Sequence, residues 1–206
     1  ALAWPLTGSD RFSCKYIGNR ILADVASNTA TIELYSYWHE LMGYMNSSVF
    51  NYILNMLNPT LSYPIESVVA IPGNIVHNDR VVELVDDNVQ YANEDWDAFE
   101  TSWDFIRHPL VPSAALKQEQ MVSQFAPSRM EKFGLISWHY ENWKNQCEKR
   151  FNQLKANEEE LNRIFIGIYG LQDELTQEVE DKDVTVRKAD LQRDIRSFMS
   201  YAVGCM

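Results

Sequence analysis

The chain has 206 residues, of which 46% are apolar and 12% aromatic, so it is long and apolar enough to bury a sizeable core. Its 18 Lys and Arg against 29 Asp and Glu give a net charge of −11, which excludes a domain whose whole surface binds nucleic acid. No apolar run approaches the roughly 20 residues of a membrane-spanning helix, and the first residues lack the pattern of a signal peptide.

The cysteines and the local charges further restrict the cellular compartment and the binding surfaces that the sequence allows. Cys14, Cys147 and Cys205 are too far apart in sequence to suggest a disulfide framework or a zinc-type pair, which favours a reducing, cytoplasmic setting. Three of the five cations in 1–110 fall within 11–20, whereas 79–104 carries nine carboxylates and one arginine. One end of this half could therefore contact phosphate, and the other would repel it.

The first 45 residues divide into two predicted parts. Residues 1–32 are expected to be extended or turn-rich, because short alternations of apolar and polar side chains indicate strands. They are interrupted by Pro5, Gly8 and Gly18. Residues 32–45 are dense in apolar side chains, and their pattern fits a helix or a buried strand.

A helix is predicted at 47–57, with Asn46 or Ser47 as its N-cap and Asn58-Pro59 as its end. The apolar run 68–71 precedes Pro72-Gly73 and indicates a short strand.

Residues 79–106 show a helical pattern with a possible break near Asn93, which could cap a second segment. The spacing of Trp96, Phe99 and Trp103 predicts packing, in the core or between domains, for both tryptophans rather than stacking on nucleic-acid bases. The same packing is expected of Trp143. His108-Pro109 then breaks the chain, and a boundary between subdomains is predicted near residue 112.

The second half is dominated by an amphipathic stretch over 137–169, which predicts a long helix ended by Gly170. Its near-heptad apolar stripe consists of Trp143, Cys147, Phe151, Leu154, Leu161, Phe165 and Ile168. Glu158 occupies a position in this stripe that would otherwise be apolar. A last helix is predicted from Asp190 as N-cap, with Arg193 and Arg196 on its outer face, and it should pack on the long helix.

Motifs of known enzyme chemistry are missing from the sequence. It contains no HExxH, glycine-rich phosphate loop, GxSxG or Cys/His cluster with metal spacing, so catalysis within the chain is not expected. His39 and His139 are interpreted as packed or surface residues, and His108 as a turn residue. The run 158–160 fans outward over about 200° of a helix, so a solvated face is favoured over a metal site.

Several segments taken together resemble the C-terminal region of adenine-specific DNA methyltransferases of bacteriophage-exclusion (BREX) systems, which are related to fused type II restriction-modification enzymes. The segments are SDRFSCKY (9–16), LMGYMNSSVFNYILNMLNPTLSY (41–63), EDWDAFETSWDF (94–105), 148–166 and 168–206. The resemblance departs at Lys149 and is looser over 17–40 and 111–136.

This resemblance implies a division of labour. An upstream domain would bind S-adenosylmethionine and carry an Asn-Pro-Pro-Tyr-type motif, which this chain lacks, since Asn58-Pro59 is followed by Thr60. The chain would then be a non-catalytic fragment without its own cofactor or metal. It would contribute DNA target recognition and docking to the catalytic domain in cis, and would bind DNA weakly or not at all by itself.

The fold expected on this basis is α+β and predominantly helical, with a small mixed-sheet recognition subdomain followed by a helical spacer or docking subdomain. The predicted parts are a recognition-like subdomain at 1–78, an acidic helical connector at 79–112 and a helical subdomain at 113–206.

The candidate DNA contacts combine cations for phosphate and side chains that can read base edges. They are Arg11, Lys15, Arg20 and Asn28. The alternative is an acidic helical interaction module that docks other defence subunits or phage inhibitors. Charge reversal of the three cations would distinguish the two, because only the first depends on them.

Overall fold

The computed structural model describes residues 1–8, 11–18, 24–31, 37–75, 77–111 and 136–206. The chain forms two compact units. The first combines Ala1–Val89 with Lys155–Asp183, and the second combines Gln90–Leu154 with Val184–Met206. Within the described residues, no helix is both long enough and apolar enough to cross a bilayer.

The first unit begins with a three-stranded antiparallel sheet. Strand β1 (Leu2–Pro5) lies between β2 (Lys15–Tyr16) and β3 (Ser27–Ala30). Successive side chains of a strand point to opposite faces, and Leu2 and Trp4 are both buried. One face of the sheet therefore covers the core, and the other is open to solvent.

Three short helices follow the sheet: α1 (Trp38–Met45), α2 (Ser48–Leu57) and α3 (Ile65–Val69). The helix predicted at 47–57 is confirmed, and its N-cap is Ser47, whose side chain accepts a hydrogen bond from the amide of Phe50. Residues 38–45, whose pattern fitted helix or strand, are helical, while 32–36 lie outside the described residues.

The strand predicted at 68–71 is wrong, because the last residues of α3 occupy this run. Pro64 precedes the helix in extended conformation, with φ −65° and ψ 156°, and proline is compatible with a helix start. A short apolar run has no period long enough to separate strand from helix, and only Ile71 of this run is buried.

Helix α4 (Asp79–Trp96) runs unbroken through Asn93, so the predicted break and second helical segment are wrong. The Asn93 carbonyl accepts a hydrogen bond from the Asp97 amide at 2.8 Å, as a residue inside a helix does. Residues 97–104 form consecutive turns instead.

The core of the first unit combines the sheet, α1, α2, the start of α4 and the end of a long helix, α5 (Ile136–Tyr169). Gly43 of α1 permits close packing, because a methyl group there would lie 3.2 Å from Val85 and 3.3 Å from Val81 of α4. The most buried apolar members are Leu2, Phe12, Val49, Phe50, Leu54, Val81 and Leu84.

Helix α5 matches the prediction for 137–169 within one residue, and Gly170 follows it with φ +68°. Its predicted apolar stripe is buried except for Ile168. Helix α6 (Leu191–Gly204) starts at the predicted N-cap, where the Asp190 side chain accepts a hydrogen bond from the Arg193 amide. As predicted, the two helices pack together, since Trp143 and Cys147 share a core cluster with Ile195 and Phe198.

The tryptophans differ from one another. Trp143 is buried as predicted, whereas Trp96 is 54% exposed and Trp103 is fully exposed. Neither therefore packs in the core of its unit. The expected helical spacing of Trp103 is lost because α4 ends at Trp96.

The described residues confirm the predicted α+β, predominantly helical fold class. The division at 78/79 and 112/113 stays a prediction, and residues 112–135 lie outside the described part.

Candidate nucleic-acid interface

Lys15 lies on the solvent-facing side of the sheet. It is exposed in β2 and pairs with Ala3, which pairs in turn with Thr29 of β3. Paired residues of adjacent strands point to the same face, so Lys15 and Thr29 share one surface across β1. This surface presents a cation and a hydroxyl, the two side-chain types that most simply contact phosphate.

The chain just before Lys15 is fixed by two asparagines of the helical layer. Asn46 accepts a hydrogen bond from the Cys14 amide at 2.9 Å and donates one to the Cys14 carbonyl at 3.1 Å. Asn51 accepts one from the Phe12 amide at 3.0 Å. These side-chain amides make the backbone hydrogen bonds that a longer paired strand would otherwise make, and they hold the start of β2 in place.

Asn28 is placed on the other, core-covering face. It pairs with Trp4, and its Nδ2 donates to the Tyr63 carbonyl at 2.9 Å, beside the indole Nε1 of Trp4 at 3.1 Å. The structure therefore gives Asn28 a role in joining β3 to the chain after α2. It does not bring Asn28 and Lys15 together on one surface.

Arg11 is also engaged within its unit. Its Nη2 donates to the carbonyl of Asn46, the C-cap of α1, at 2.7 Å. Its positive charge also lowers the pKa of Glu158 on α5, although burial is the larger effect and raises that pKa to about 7. Arg20, the remaining predicted contact, lies outside the described residues.

A stack of aromatic rings begins at Tyr16, the residue that follows Lys15 in β2. The ring centroids of Tyr16 and Trp38 are 4.5 Å apart at 25°, and those of Trp38 and His39 are 3.7 Å apart at 30°. Tyr16 is 45% exposed, so the outer end of the stack reaches solvent. The Nε2 of His39 lies 2.9 Å from Oδ1 of Asp86 on α4. Tyr16 pairs with Leu2, so the stack lies at the sheet edge on the core-covering side, opposite to Lys15. We call the solvent-facing pair of Lys15 and Thr29 the Lys15 face.

Sequence reasoning missed this aromatic stack. The stack joins an edge strand to a helix start more than twenty residues later, and no periodic pattern relates residues in different elements. The available signal was the density of aromatic side chains at 35–38, which predicted burial rather than a partner.

Asn58-Pro59 has the structural role that the sequence indicated. Asn58 is the C-cap of α2, and its Nδ2 donates to the Ser62 carbonyl at 2.8 Å and to Ser67 Oγ at 3.1 Å. Its Oδ1 accepts from Thr60 Oγ1 at 2.6 Å. The amide is thus fully used in closing a turn, unlike a catalytic asparagine that must hold a base.

A histidine between two carboxylates joins α1 to the start of α4. His77 Nδ1 lies 2.7 Å from Glu40 Oε1, and its Nε2 lies 3.1 Å from Asp79 Oδ1. Glu40 is almost completely buried, and the hydrogen bond to it is the main cause of the raised pKa of His77. Across the described ranges, no three His, Cys, Asp or Glu side chains are arranged to hold a metal ion.

The second unit contains an open polar groove of about 610 Å³ between α4 and α5. It is lined by Tyr91, Glu94, Gln146, Lys149, Arg150, Asn152 and Gln153. Arg150 is buried there, with Nε 3.4 Å from Glu94 Oε2 and Nη1 3.9 Å from Asp95 Oδ1. The two carboxylates offset its charge, which makes the groove a weak candidate for an anion site.

Comparison with known proteins shows which proteins the chain is similar to. The chain is 37% identical over 206 residues to an adenine-specific methyltransferase, PglX, of Lacticaseibacillus casei strain Zhang, and the match covers all of the chain and 16% of the relative. It is 23% identical over 226 aligned residues to the adenine-specific methyltransferase BrxX of Escherichia coli O9:H4 strain HS, with 98% of the chain and 16% of the relative covered.

Over its whole length the chain resembles a segment of BREX-type adenine-specific methyltransferases.

The chain spans about one sixth of the length of the two curated relatives, and the family resemblance seen in its sequence is confirmed. No protein-family model matches it.

Proposed function

We propose that the chain is the non-catalytic target-recognition and docking segment of a DNA N6-adenine methyltransferase that acts in phage defence. The observation that carries this proposal is the match of the whole chain to two adenine-specific methyltransferases, of which it covers only 16% each. The parent protein would use S-adenosylmethionine on another domain and would modify DNA in the cytoplasm. This segment would hold no cofactor.

Physical requirements of the reaction support a separate DNA-gripping element. An enzyme that modifies a base in duplex DNA extrudes that base from the stack and must hold the flanking duplex in register. Phosphate contacts supply that grip, and they need only a few well-placed cations rather than a basic surface. Such local contacts are compatible with a segment that carries a net charge of −11.

Within this segment we assign the DNA contact to the Lys15 face. Lys15 is exposed beside Thr29 on the open side of the sheet, and β2 is held by the Asn46 bonds. Arg20 is proposed as a second phosphate contact. Arg11 and Asn28 are proposed to position this face, because their donors already bind backbone carbonyls.

The test is DNA binding by the parent methyltransferase over a series of salt concentrations. Lys15→Glu and Arg20→Glu should each weaken binding about equally for all sequences and lower the slope of log K against log salt by about 1. Lys182→Glu, a charge reversal at an exposed lysine of the same unit, is the matched control and should leave the slope unchanged. An unaltered slope in both test variants would refute the assignment.

A second candidate function, an acidic module that docks other defence subunits or phage inhibitors, is favoured by one observation. Trp96, Trp103 and Ile106 are exposed apolar residues in a stretch rich in carboxylates. If DNA binding ignores the Lys15 and Arg20 changes while partner binding is lost with Trp103→Ala, this second function is the correct one.

A further inference from the structure

The turns after α4 present two large apolar side chains to solvent. We call residues 97–107 the Trp103 loop, in which Trp103 is fully exposed and Ile106 is 92% exposed. Isolated apolar residues on a surface are common, but a tryptophan without any cover within its own unit is not. Tryptophan is also the residue type most enriched among the energetic centres of protein interfaces.

Hydrogen bonds within the loop keep it in one conformation. Ser102, itself buried, donates through Oγ to Asp97 Oδ1 at 2.6 Å and accepts from the Asp104 amide at 3.1 Å. The Ser102 amide in turn donates to the Phe99 carbonyl at 3.0 Å. Trp103 is therefore held between two fixed neighbours.

Side chains beneath the loop anchor both of its ends. The guanidinium of Arg187 lies 3.7 Å from the ring centroid of Phe99 and is fixed by an ion pair of its Nε with Asp95 at 3.0 Å. At the other end, the ring of Phe105 packs edge-on against Tyr201 of α6, with centroids 5.7 Å apart. Binding through this loop would therefore require little further ordering of the chain, which lowers the entropic cost of association.

The charges around Trp103 define the surface that would accept it. Glu100 and Asp104 flank Trp103 in sequence, and both are exposed. A matching partner needs an apolar cleft of indole size with Lys or Arg at its rim, since like charges facing each other at an interface are unfavourable.

We propose that the Trp103 loop docks into a basic-rimmed apolar cleft elsewhere in the parent methyltransferase. This proposal rests on the proposed function, which supplies the partner. The relatives that match the whole chain are about six times longer, so most of the protein lies outside this segment. The parts that bind DNA there must carry the clustered cations that this segment lacks. Charge complementarity therefore favours an occupant in cis over a second copy, whose loop would be equally acidic.

Hydroxyl-radical footprinting of the intact parent methyltransferase, read by mass spectrometry, tests the docking directly. Trp103 and Ile106 should be oxidised at least about fivefold more slowly in the native protein than in the same protein unfolded in denaturant, independent of protein concentration. Oxidation within about twofold of the unfolded rate would overturn the proposal. So would protection that grows with protein concentration, which indicates a second copy, or that appears only after another protein is added.

Variants of the intact parent complete the test. Trp103→Ala and the pair Glu100→Lys with Asp104→Lys should each raise the oxidation rate of Ile106 toward its unfolded value. Thr101 is an exposed polar neighbour on the same loop, and Thr101→Ala is the matched control, which should leave the oxidation rate of Ile106 unchanged. Adenine methylation by the unaltered parent is measured in parallel. Methylation with an unprotected Trp103 overturns only the docking, whereas an intact parent that does not methylate adenine overturns the proposed function.

Discussion

At the residue scale, the pKa of the Glu158 carboxyl is set by its burial and by the charges around it. It lies on α5 between Leu154 and Leu161, which are both buried, and is itself partly buried. Burial raises its pKa to about 7, the nearby Arg11 opposes this rise, and Asp183 and Glu159 add to it. Arg11→Glu would therefore place a second carboxylate near Glu158. A change in DNA binding by this variant would not separate a lost phosphate contact from a loss of stability.

We predict that Glu158→Gln stabilises the chain above pH 7 and removes a pH dependence between about 4.5 and 7. In this window the native carboxyl keeps its proton while the unfolded one, with an ordinary pKa of 4.5, has lost it. Stability therefore falls as pH rises through the window. The gain above pH 7 is at most about 3 kcal/mol by the size of the shift. Urea unfolding at pH 5 and pH 8 measures it.

The exposed Glu178 in the same unit provides the comparison, and Glu178→Gln should not reproduce the gain in stability above pH 7. A Glu158→Gln variant whose unfolding free energy still declines from pH 5 to pH 8 as in the unaltered chain would contradict the assignment.

At the element scale, ends of helices follow local chemistry, and this is where the sequence predicted most accurately. The side chains of Ser47 and Asp190 accept hydrogen bonds from the amides that the first turns of α2 and α6 leave free. Gly170 adopts φ +68°, a left-handed conformation that costs other residues energy, and so ends α5. Elements without such signals, α3 and the turns after α4, were predicted wrongly.

Two glycines three residues apart should therefore respond in opposite ways to the same change. Gly170→Ala should destabilise the chain by about 1 kcal/mol, because alanine resists positive φ. Gly167→Ala should stabilise it by roughly 0.5–1 kcal/mol, because Gly167 lies in α5 with open space around its Cα. Equilibrium unfolding in urea gives both values. Equal signs would show that α5 does not end at Gly170.

At the scale of the whole molecule, each compact unit has its own buried thiol. Cys14 is buried in the first unit and Cys147 in the second, and burial raises the pKa of each to about 12. Cys205 at the end of α6 is exposed, and all three are free thiols. Because the thiolate is the reactive form, the three cysteines report on three different environments.

We expect a thiol reagent at pH 8 to modify Cys205 rapidly and the other two cysteines only on unfolding. Peptide mapping after increasing exposure to urea assigns each modification, so Cys14 reports the opening of the first unit and Cys147 that of the second. Modification of either buried cysteine at the rate of Cys205 under native conditions would contradict the described cores.

The sequence by itself determined the features that depend on neighbours along the chain: the helices predicted at 47–57, at 137–169 and after Asp190, their capping residues, the α+β class and the family resemblance. Local hydrogen bonding and the 3.6-residue period act over a few residues, so they can be seen in sequence. Only the tertiary structure decided that Tyr16 stacks on Trp38, that the charge of Arg11 acts on Glu158, and that Trp103 remains uncovered. Each of these depends on which distant elements come together. The hydrophobic effect is non-directional and depends on the apolar area buried, so an apolar pattern does not specify which element packs against which.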